Sequence, residues 1–137
     1  MHRVGFTTTI PLEIVLAAGM TPVDLNNVFI TSPHATRMIE EAEVDGFPRS
    51  ICGWIKGIYA AVVECGIHEL IAVTEGDCSN TRALMEVLSL KGVETIPFAY
   101  PHDRDPAGLR FEIEKLMRRF GVGWDAVKLS RERLGRI

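Results

Sequence analysis

Cysteines are the residues of this sequence whose type and position suggest chemistry. Residues 70–73, four apolar residues, and then Thr74 predict a buried strand; residues 75–77 predict a turn, and residues 82–90 predict a helix. Cys78 therefore falls between the carboxyl end of a strand and the amino end of a helix. Open α/β sheets bind ligands at such junctions, where free N–H groups and the helix dipole also favour a thiolate. The alternative interpretation is that Cys78 is a small buried residue.

The other two cysteines, Cys52 and Cys65, lie at opposite ends of one predicted helix. This helix covers residues 51–65, with Ser50 as its N-cap and Gly66 as its stop. At about 1.5 Å per residue, its ends are roughly 20 Å apart. An intact helix therefore prevents these two cysteines from sharing one metal centre within a single chain. We predict that Cys65 is a core residue.

Composition limits the class of protein before any motif is considered. The 137 residues, 47 % hydrophobic and 24 % charged, have the length and composition of one soluble globular domain. Together with the order of predicted elements, this predicts a single α/β domain, residues 1–137, with a C-terminal helical segment. The net charge of −3 gives no reason to expect a nucleic-acid partner. No apolar run approaches the roughly 20 residues that span a membrane, and no secretory signal is evident. Three cysteines, an odd number, argue against a disulfide framework and favour a cytoplasmic protein.

The order of predicted elements is that of a parallel α/β sheet. A strand, a helix and a second strand within the first 25 residues form a βαβ unit, which implies parallel pairing. The fourth strand contains Pro97, which places this strand near an edge of the sheet or places the proline at the strand's end. We predict a three-layer αβα domain of the Rossmann or flavodoxin type, with a mostly parallel sheet of about four strands. The predicted strands are residues 3–9, 21–25, 70–74 and 93–98, and the remaining predicted helices are residues 12–18, 34–44, 109–120 and 125–134.

Several common functional signatures are missing from the sequence. The glycines form neither a dinucleotide-binding G-x-G-x-x-G nor a phosphate-binding P-loop, and there is no C-x-x-C pair. The four histidines are scattered and have no metal-ligand spacing. From the residues alone, the sequence indicates an α/β domain with two cysteines at helix starts near one edge of the sheet.

Three segments, in order, carry a resemblance to a known family. Residues 5–23 have the pattern of a strand, a P-x-E helix start, A-A-G and P-V; residues 51–57 place Cys52 at a helix start; and residues 76–81 surround Cys78. Together they resemble the 2-hydroxyacyl-CoA dehydratase family, in its D-component-like subunits. The resemblance covers roughly residues 3–120 and concerns the N-terminal half of such a subunit.

The resemblance implies radical chemistry at an iron–sulfur cluster. Members of the family eliminate water from (R)-2-hydroxyacyl-CoA thioesters after an ATP-dependent activator protein supplies one electron through a 4Fe-4S cluster. Each cluster is held by three thiolates, and the resemblance makes Cys52 and Cys78 two of these ligands. Glu13 and Thr8 become candidate catalytic groups at the same edge. Their alternative interpretation is structural, since one lies at a helix start and the other at a strand end.

The resemblance leaves the ligand set incomplete. In the family, the third ligand comes from a second α/β half, which this sequence lacks. We therefore expect a half-subunit, a truncated product or a relative without the chemistry, and we do not expect catalysis by this chain alone. A second dehydratase half or subunit is the expected partner, and a homodimer is another way to cover the exposed surface. The alternative function is a non-catalytic binding or assembly module.

Overall fold

The computed structural model describes residues 2–76 and 78–136, at the centre of which is a four-stranded sheet. The strands are β1 (Arg3–Phe6), β2 (Thr21–Asp24), β3 (Glu69–Glu75) and β4 (Glu94–Ala99). Their spatial order is β2-β1-β3-β4, and every neighbouring pair is parallel. The predicted α/β class is confirmed, and the sheet is wholly parallel in this part of the chain.

Helices cover both faces of the sheet. The described residues form α1 (Leu12–Ala17), α2 (Leu25–Thr31), α3 (Ala35–Val44), α4 (Gly53–Cys65), α5 (Thr81–Leu90), α6 (Pro106–Phe120) and α7 (Trp124–Leu134). One core contains side chains of α2, α3, α4 and α5, and a second core contains side chains of α1, α6 and α7. The predicted three-layer αβα arrangement is confirmed. None of the helices in the described residues is long and apolar enough to cross a membrane.

Strand β3 explains why residues 70–73 are apolar without alternation. Leu70 and Ala72 belong to one core, whereas Ile71 and Val73 belong to the other, and all four are fully buried. A central parallel strand covered by helices on both faces needs apolar side chains at successive positions. This strand anchors the sheet, and the helices of both layers pack against it.

Helix α2 was not predicted from the sequence. The Asp24 carboxylate accepts a hydrogen bond from the Asn27 N–H at 3.1 Å, which caps α2 and ends β2 at residue 24, one residue before the predicted end. Phe29 of α2 packs against α4 at Gly57, where an added Cβ would lie 2.3 Å from the Phe29 ring. The absence of a side chain at Gly57 is what allows the two helices to approach.

Each of the two edge strands carries a proline whose backbone nitrogen lies on the outer side, away from the neighbouring strand. The N–H of Thr21 donates to the His2 carbonyl at 3.0 Å, and the N–H of Glu94 donates to the His68 carbonyl at 2.8 Å. Because successive N–H groups of a strand point in opposite directions, the nitrogens of Pro22 and Pro97 lie on the outer sides. The predicted edge position of Pro97 is confirmed by the strand order.

Strand β4 has a second feature on its outer side. The Ala99 N–H, two residues after Pro97, donates to the Glu112 carboxylate of α6 at 2.8 Å. Lys115 in turn lies 3.0 Å from the other oxygen of Glu112. Two of the three outward positions of β4 therefore have no N–H left to offer another strand.

Candidate functional site at the carboxyl edge of the sheet

A crevice is expected where β1 and β3 end side by side. Helix α1, after β1, packs in one layer, and α5, after β3, packs in the other. The two connections therefore leave the sheet on opposite sides, and open α/β sheets bind ligands at such a divergence. The described residues that border this position are residues 7–11, after β1, and residues 76 and 78–80, after β3. Asp77, which was predicted to lie in the turn, is outside the described residues.

Three threonines form the loop that follows β1. The Thr7 N–H donates to the Ile71 carbonyl, and the Thr7 hydroxyl accepts from the Val73 N–H, both at 3.3 Å. The buried Thr7 hydroxyl takes the place of the next backbone hydrogen bond between β1 and β3. Strand β1 therefore ends at Phe6 and is shorter than predicted. Thr8 follows and is half-buried. The predicted site residue therefore lies in the loop, one residue beyond the last contact with β3.

Cys78 lies in the turn that leads into α5. Its carbonyl accepts a hydrogen bond from the Thr81 N–H at 3.1 Å, and the residue is half-buried against the layer of α2, α3, α4 and α5. Asn80 occupies the N-cap position but forms no side-chain cap hydrogen bond. The predicted strand-to-helix junction is present, and α5 begins without a side-chain cap.

An unpartnered hydroxyl lies close to Cys78 along the chain. The Thr81 Oγ1 atom is buried and has no hydrogen-bond partner within the described residues. Leaving a buried hydroxyl unpaired costs about 1–3 kcal/mol. A hydrogen bond to a sulfur acceptor would satisfy this donor, and no pattern in the sequence indicates that the hydroxyl lacks a partner among the described residues.

Cys52 is the N-cap residue of α4 and is exposed. The sequence predicted a helix from residue 51 with Ser50 as its cap, which is wrong by two residues. The Ile51 N–H instead donates to the Pro48 carbonyl at 3.1 Å, so residues 48–51 form a turn. The thiol therefore lies at the start of the helix rather than inside its first turn.

A buried lysine fixes the connection that carries Cys52. The Lys56 side chain is only 3 % exposed, and its Nζ lies 3.2 Å from a Glu43 carboxylate oxygen. The same ammonium donates to the Arg49 carbonyl at 3.0 Å. Because a buried charge needs both a counter-charge and hydrogen bonds, these contacts hold α4 to the end of α3 and to the connecting loop.

Tyr59, one turn further along α4, forms a second contact with the segment that connects α3 to Cys52. Its hydroxyl donates to the Asp45 carboxylate at 2.8 Å, and its ring contacts Phe47 edge-on at 5.1 Å. Burial, together with the hydrogen bond and the charge of Asp45, raises the pKa of Tyr59 to about 12. The chain from α3 to Cys52 is therefore anchored at two points on α4.

The topology brings the Cys52 and Cys78 segments to the same edge and face of the sheet. Trp54, in the first turn of α4, donates to the Asn26 side chain just beyond the carboxyl end of β2, at 2.5 Å. Helix α4 packs against α5, whose start follows the carboxyl end of β3. Cys65 lies at the opposite end of the uninterrupted helix α4, where its carbonyl accepts from the Arg3 side chain.

Tyr100 connects the loops at this edge. Its hydroxyl donates to the Thr9 carbonyl at 2.7 Å, and its N–H donates to the Glu75 carbonyl at 3.1 Å. Burial, and then the negative charge of Glu13, raise the pKa of Tyr100. Glu13, half-buried in the first turn of α1, therefore lies near Tyr100, at the same edge as Thr8.

The donor set fits part of an iron–sulfur site. Thiolates are the usual ligands of such clusters, and Cys52 and Cys78 supply two at one edge. The buried Thr81 hydroxyl, which has no partner among the described residues, follows Cys78 by three residues in the chain. Within residues 2–76 and 78–136, no group of three or more His, Cys, Asp or Glu side chains is placed to hold a metal ion. A complete ligand set therefore needs more than these two thiols.

Comparison with known proteins identifies the family. The family model for the D-component of 2-hydroxyglutaryl-CoA dehydratase matches residues 7–134. The match covers most of the chain, which belongs to this family. It indicates a component of a 2-hydroxyacyl-CoA dehydratase, a system in which the D-component has a partner subunit. Neither the curated proteins nor the solved structures gave a match.

Proposed function

We propose that this chain contributes two thiolate ligands, Cys52 and Cys78, to a 4Fe-4S cluster in a 2-hydroxyacyl-CoA dehydratase. The observation that carries the proposal is their shared position. Both thiols precede helices that start at the carboxyl edge, and α4 and α5 are neighbours in one layer. Family membership supports the same assignment. The remaining ligands come from a second dehydratase half or subunit, or from a second copy in a homodimer.

Each side chain in the crevice has a proposed role. When bound, the cluster supplies one-electron chemistry. Cys52 and Cys78 hold it, and the Thr81 hydroxyl donates toward the Cys78 sulfur. Thr8 donates a hydrogen bond to the hydroxyacyl group of an acyl-CoA substrate, and Glu13 accepts or holds a proton beside it. An ATP-dependent activator protein is the proposed electron source, and the cytoplasm is the proposed location.

The test is anaerobic purification of the tagged chain from the cells that make it, so that a partner can co-purify. We expect iron and acid-labile sulfide in the complex, with the visible absorption of a thiolate-bound cluster. The double variant Cys52→Ser/Cys78→Ser should contain almost none. Equal iron content in the wild type and the double variant would overturn the ligand assignment.

A non-catalytic binding or assembly module is the second candidate function. The observation that favours it is the incomplete ligand set, because the described residues bring no third donor to the two thiols. In such a module the cysteines are packing residues or a weak metal site. A complex that contains a partner but no iron or sulfide after strictly anaerobic purification would support this function instead.

A further inference from the structure

We propose that Tyr100 is a positioning residue. Its side chain contacts both loops of the carboxyl-edge site, the loop after β1 and the loop after β3, and holds them in place. The proposal rests on the proposed function for its purpose, but its geometry stands on contacts of the described residues. Tyr100 follows β4 directly, at the edge of the sheet where the loops after β1 and β3 also lie. Its side chain is thereby able to contact both loops, the first of which lies 91 residues earlier in the sequence.

The hydroxyl of Tyr100 holds the loop after β1. It donates to the Thr9 carbonyl at 2.7 Å, one residue after Thr8. The other fixed point of this loop is Thr7, whose backbone and hydroxyl both bond to β3. Thr8 therefore lies between two anchored residues, and Tyr100 supplies one of the anchors. A single hydrogen bond of this kind contributes modestly to stability, yet it limits the positions open to a short loop.

The ring of Tyr100 supports the loop after β3. Gly76 has a φ of +92°, and a Cβ at this position would lie 3.1 Å from the Tyr100 Cβ. The backbone of Gly76 therefore passes directly against the aromatic residue, two positions before Cys78. The ring is itself fixed by an edge-on contact with Phe98, at 5.1 Å between centroids. The approach of Gly76 to this fixed ring sets the path of the chain toward Cys78.

The hydroxyl and the ring of Tyr100 can be tested separately. Tyr100→Phe keeps the ring and removes the bond to Thr9, so the amides of Thr7 and Val73 should exchange about five- to tenfold faster in NMR measurements. Alkylation of Cys78 in the metal-free full-length chain, followed by peptide mass spectrometry, should stay within twofold of the wild-type rate. The matched control is Tyr59→Phe, which also removes a tyrosine hydroxyl. Its lower global stability should raise exchange evenly over the core amides, whereas Tyr100→Phe should raise exchange at Thr7 and Val73 above that of the other core amides.

Tyr100→Ala removes the ring as well. We expect Cys78 to be alkylated about tenfold faster, with the rate at Cys52 unchanged in the same sample. In the iron-loaded complex, Tyr100→Phe should alter the visible circular dichroism, and Tyr100→Ala should lose iron to a chelator faster than Tyr100→Phe does. If Tyr100 had only a general structural role, the substitutions would lower the melting temperature, but the two variants would not differ in these ways.

Two results would overturn the proposal. One is wild-type amide exchange at Thr7 and Val73 in Tyr100→Phe, which remains decisive even if Tyr100→Ala does not fold. The other is an equal rise in alkylation at Cys52 and Cys78 in Tyr100→Ala, which would indicate general loosening. The alkylation and exchange results do not depend on iron. An iron-free wild type therefore counts against the proposed function alone. Unchanged amide exchange and alkylation in the Tyr100 variants count against the positioning role of Tyr100 alone.

Discussion

The two ends of the sheet are held in different ways. At the amino edge, His2 pairs with Glu69 at 2.9 Å through a histidine side chain that is 53 % exposed, and Arg3 reaches the Cys65 carbonyl from the surface. At the carboxyl edge, two of the contacts are enclosed: Thr7 is fully buried in its bond to β3, and Lys56 is almost fully buried behind Cys52, whereas the Tyr100 hydroxyl bonds to Thr9 in an exposed position. Exposed pairs contribute little to stability, whereas enclosed polar contacts are costly to break.

This difference shows where the fold fixes its loops most firmly. An end that only connects strands to helices needs no more than short turns and surface contacts. An end that places two thiols and a pair of polar side chains needs each loop held in one position. The enclosed polar contacts at the carboxyl edge are consistent with the second requirement, and the following substitutions test the contrast.

The largest expected effect separates Cys78 from Cys65. Cys78→Ser should remove nearly all iron from the anaerobically purified complex, because a hydroxyl is a poor substitute for a thiolate ligand. Cys65→Ser should retain wild-type iron, although the new hydroxyl at a packed position can cost about 1–3 kcal/mol of stability. Iron and sulfide assays on both proteins measure the difference. Loss of iron in Cys65→Ser but not in Cys78→Ser would make Cys65, at the amino edge, the ligand instead of Cys78.

The next effect concerns the buried lysine. Lys56→Met should lower the free energy of unfolding by about 2–3 kcal/mol, because Glu43 and the Arg49 carbonyl lose their shared donor. Lys91→Met, at an exposed lysine, is the matched control and should be neutral within about 0.5 kcal/mol. Urea unfolding of both variants provides the measurement. A neutral Lys56→Met would mean that the connection to Cys52 does not depend on this contact.

The Tyr59 hydroxyl should make stability depend on pH. Its pKa is about 12 in the folded protein against an ordinary value of 10.0, since burial and Asp45 favour the protonated phenol. This contribution is fully present below pH 10 and is lost as the pH rises through about 12. Tyr59→Phe should cost about 1 kcal/mol at neutral pH. The gap between the two proteins should narrow from pH 10 to 12, and a constant gap would contradict the assigned shift.

The smallest effect is expected at the amino edge. His2→Ala removes the pair with Glu69, and the free energy of unfolding should fall by less than about 1 kcal/mol, since the histidine is largely exposed. Thermal unfolding at low and high salt checks both the size and the screening of the pair. A loss larger than that of Lys56→Met would remove the contrast between the two edges.

Much of the fold follows from local sequence signals. The apolar run of β3, the position of Gly66 after α4 and the proline in β4 each predicted an element or its place. Helix α2 was missed because seven residues give little periodicity, although Asp24 is a common N-cap type. The end of β1 was misplaced because threonine favours strands, and only the tertiary structure shows that the Thr7 side chain replaces a backbone rung.

The candidate site was predictable only in part. Cysteine type and helix-start position pointed to Cys52 and Cys78, and the P-x-E pattern pointed to Glu13. The supporting residues could not be found this way, because a lysine inside a helix is normally exposed and an aromatic residue after a strand is normally core. Lys56 and Tyr100 gain their roles from partners that are distant in the sequence or on other elements.

The prolines at the two borders of the sheet bear on how this protein behaves in concentrated solution. On β4, Thr95 keeps an outward N–H, but Pro97 has none, and that of Ala99 is already bonded to Glu112. A strand from another molecule would find too few donors there to build a ladder, and Pro22 interrupts the other border in the same way. Growth of the sheet into fibrils is therefore disfavoured at both borders, and a companion subunit must attach through side-chain surfaces rather than by adding a strand.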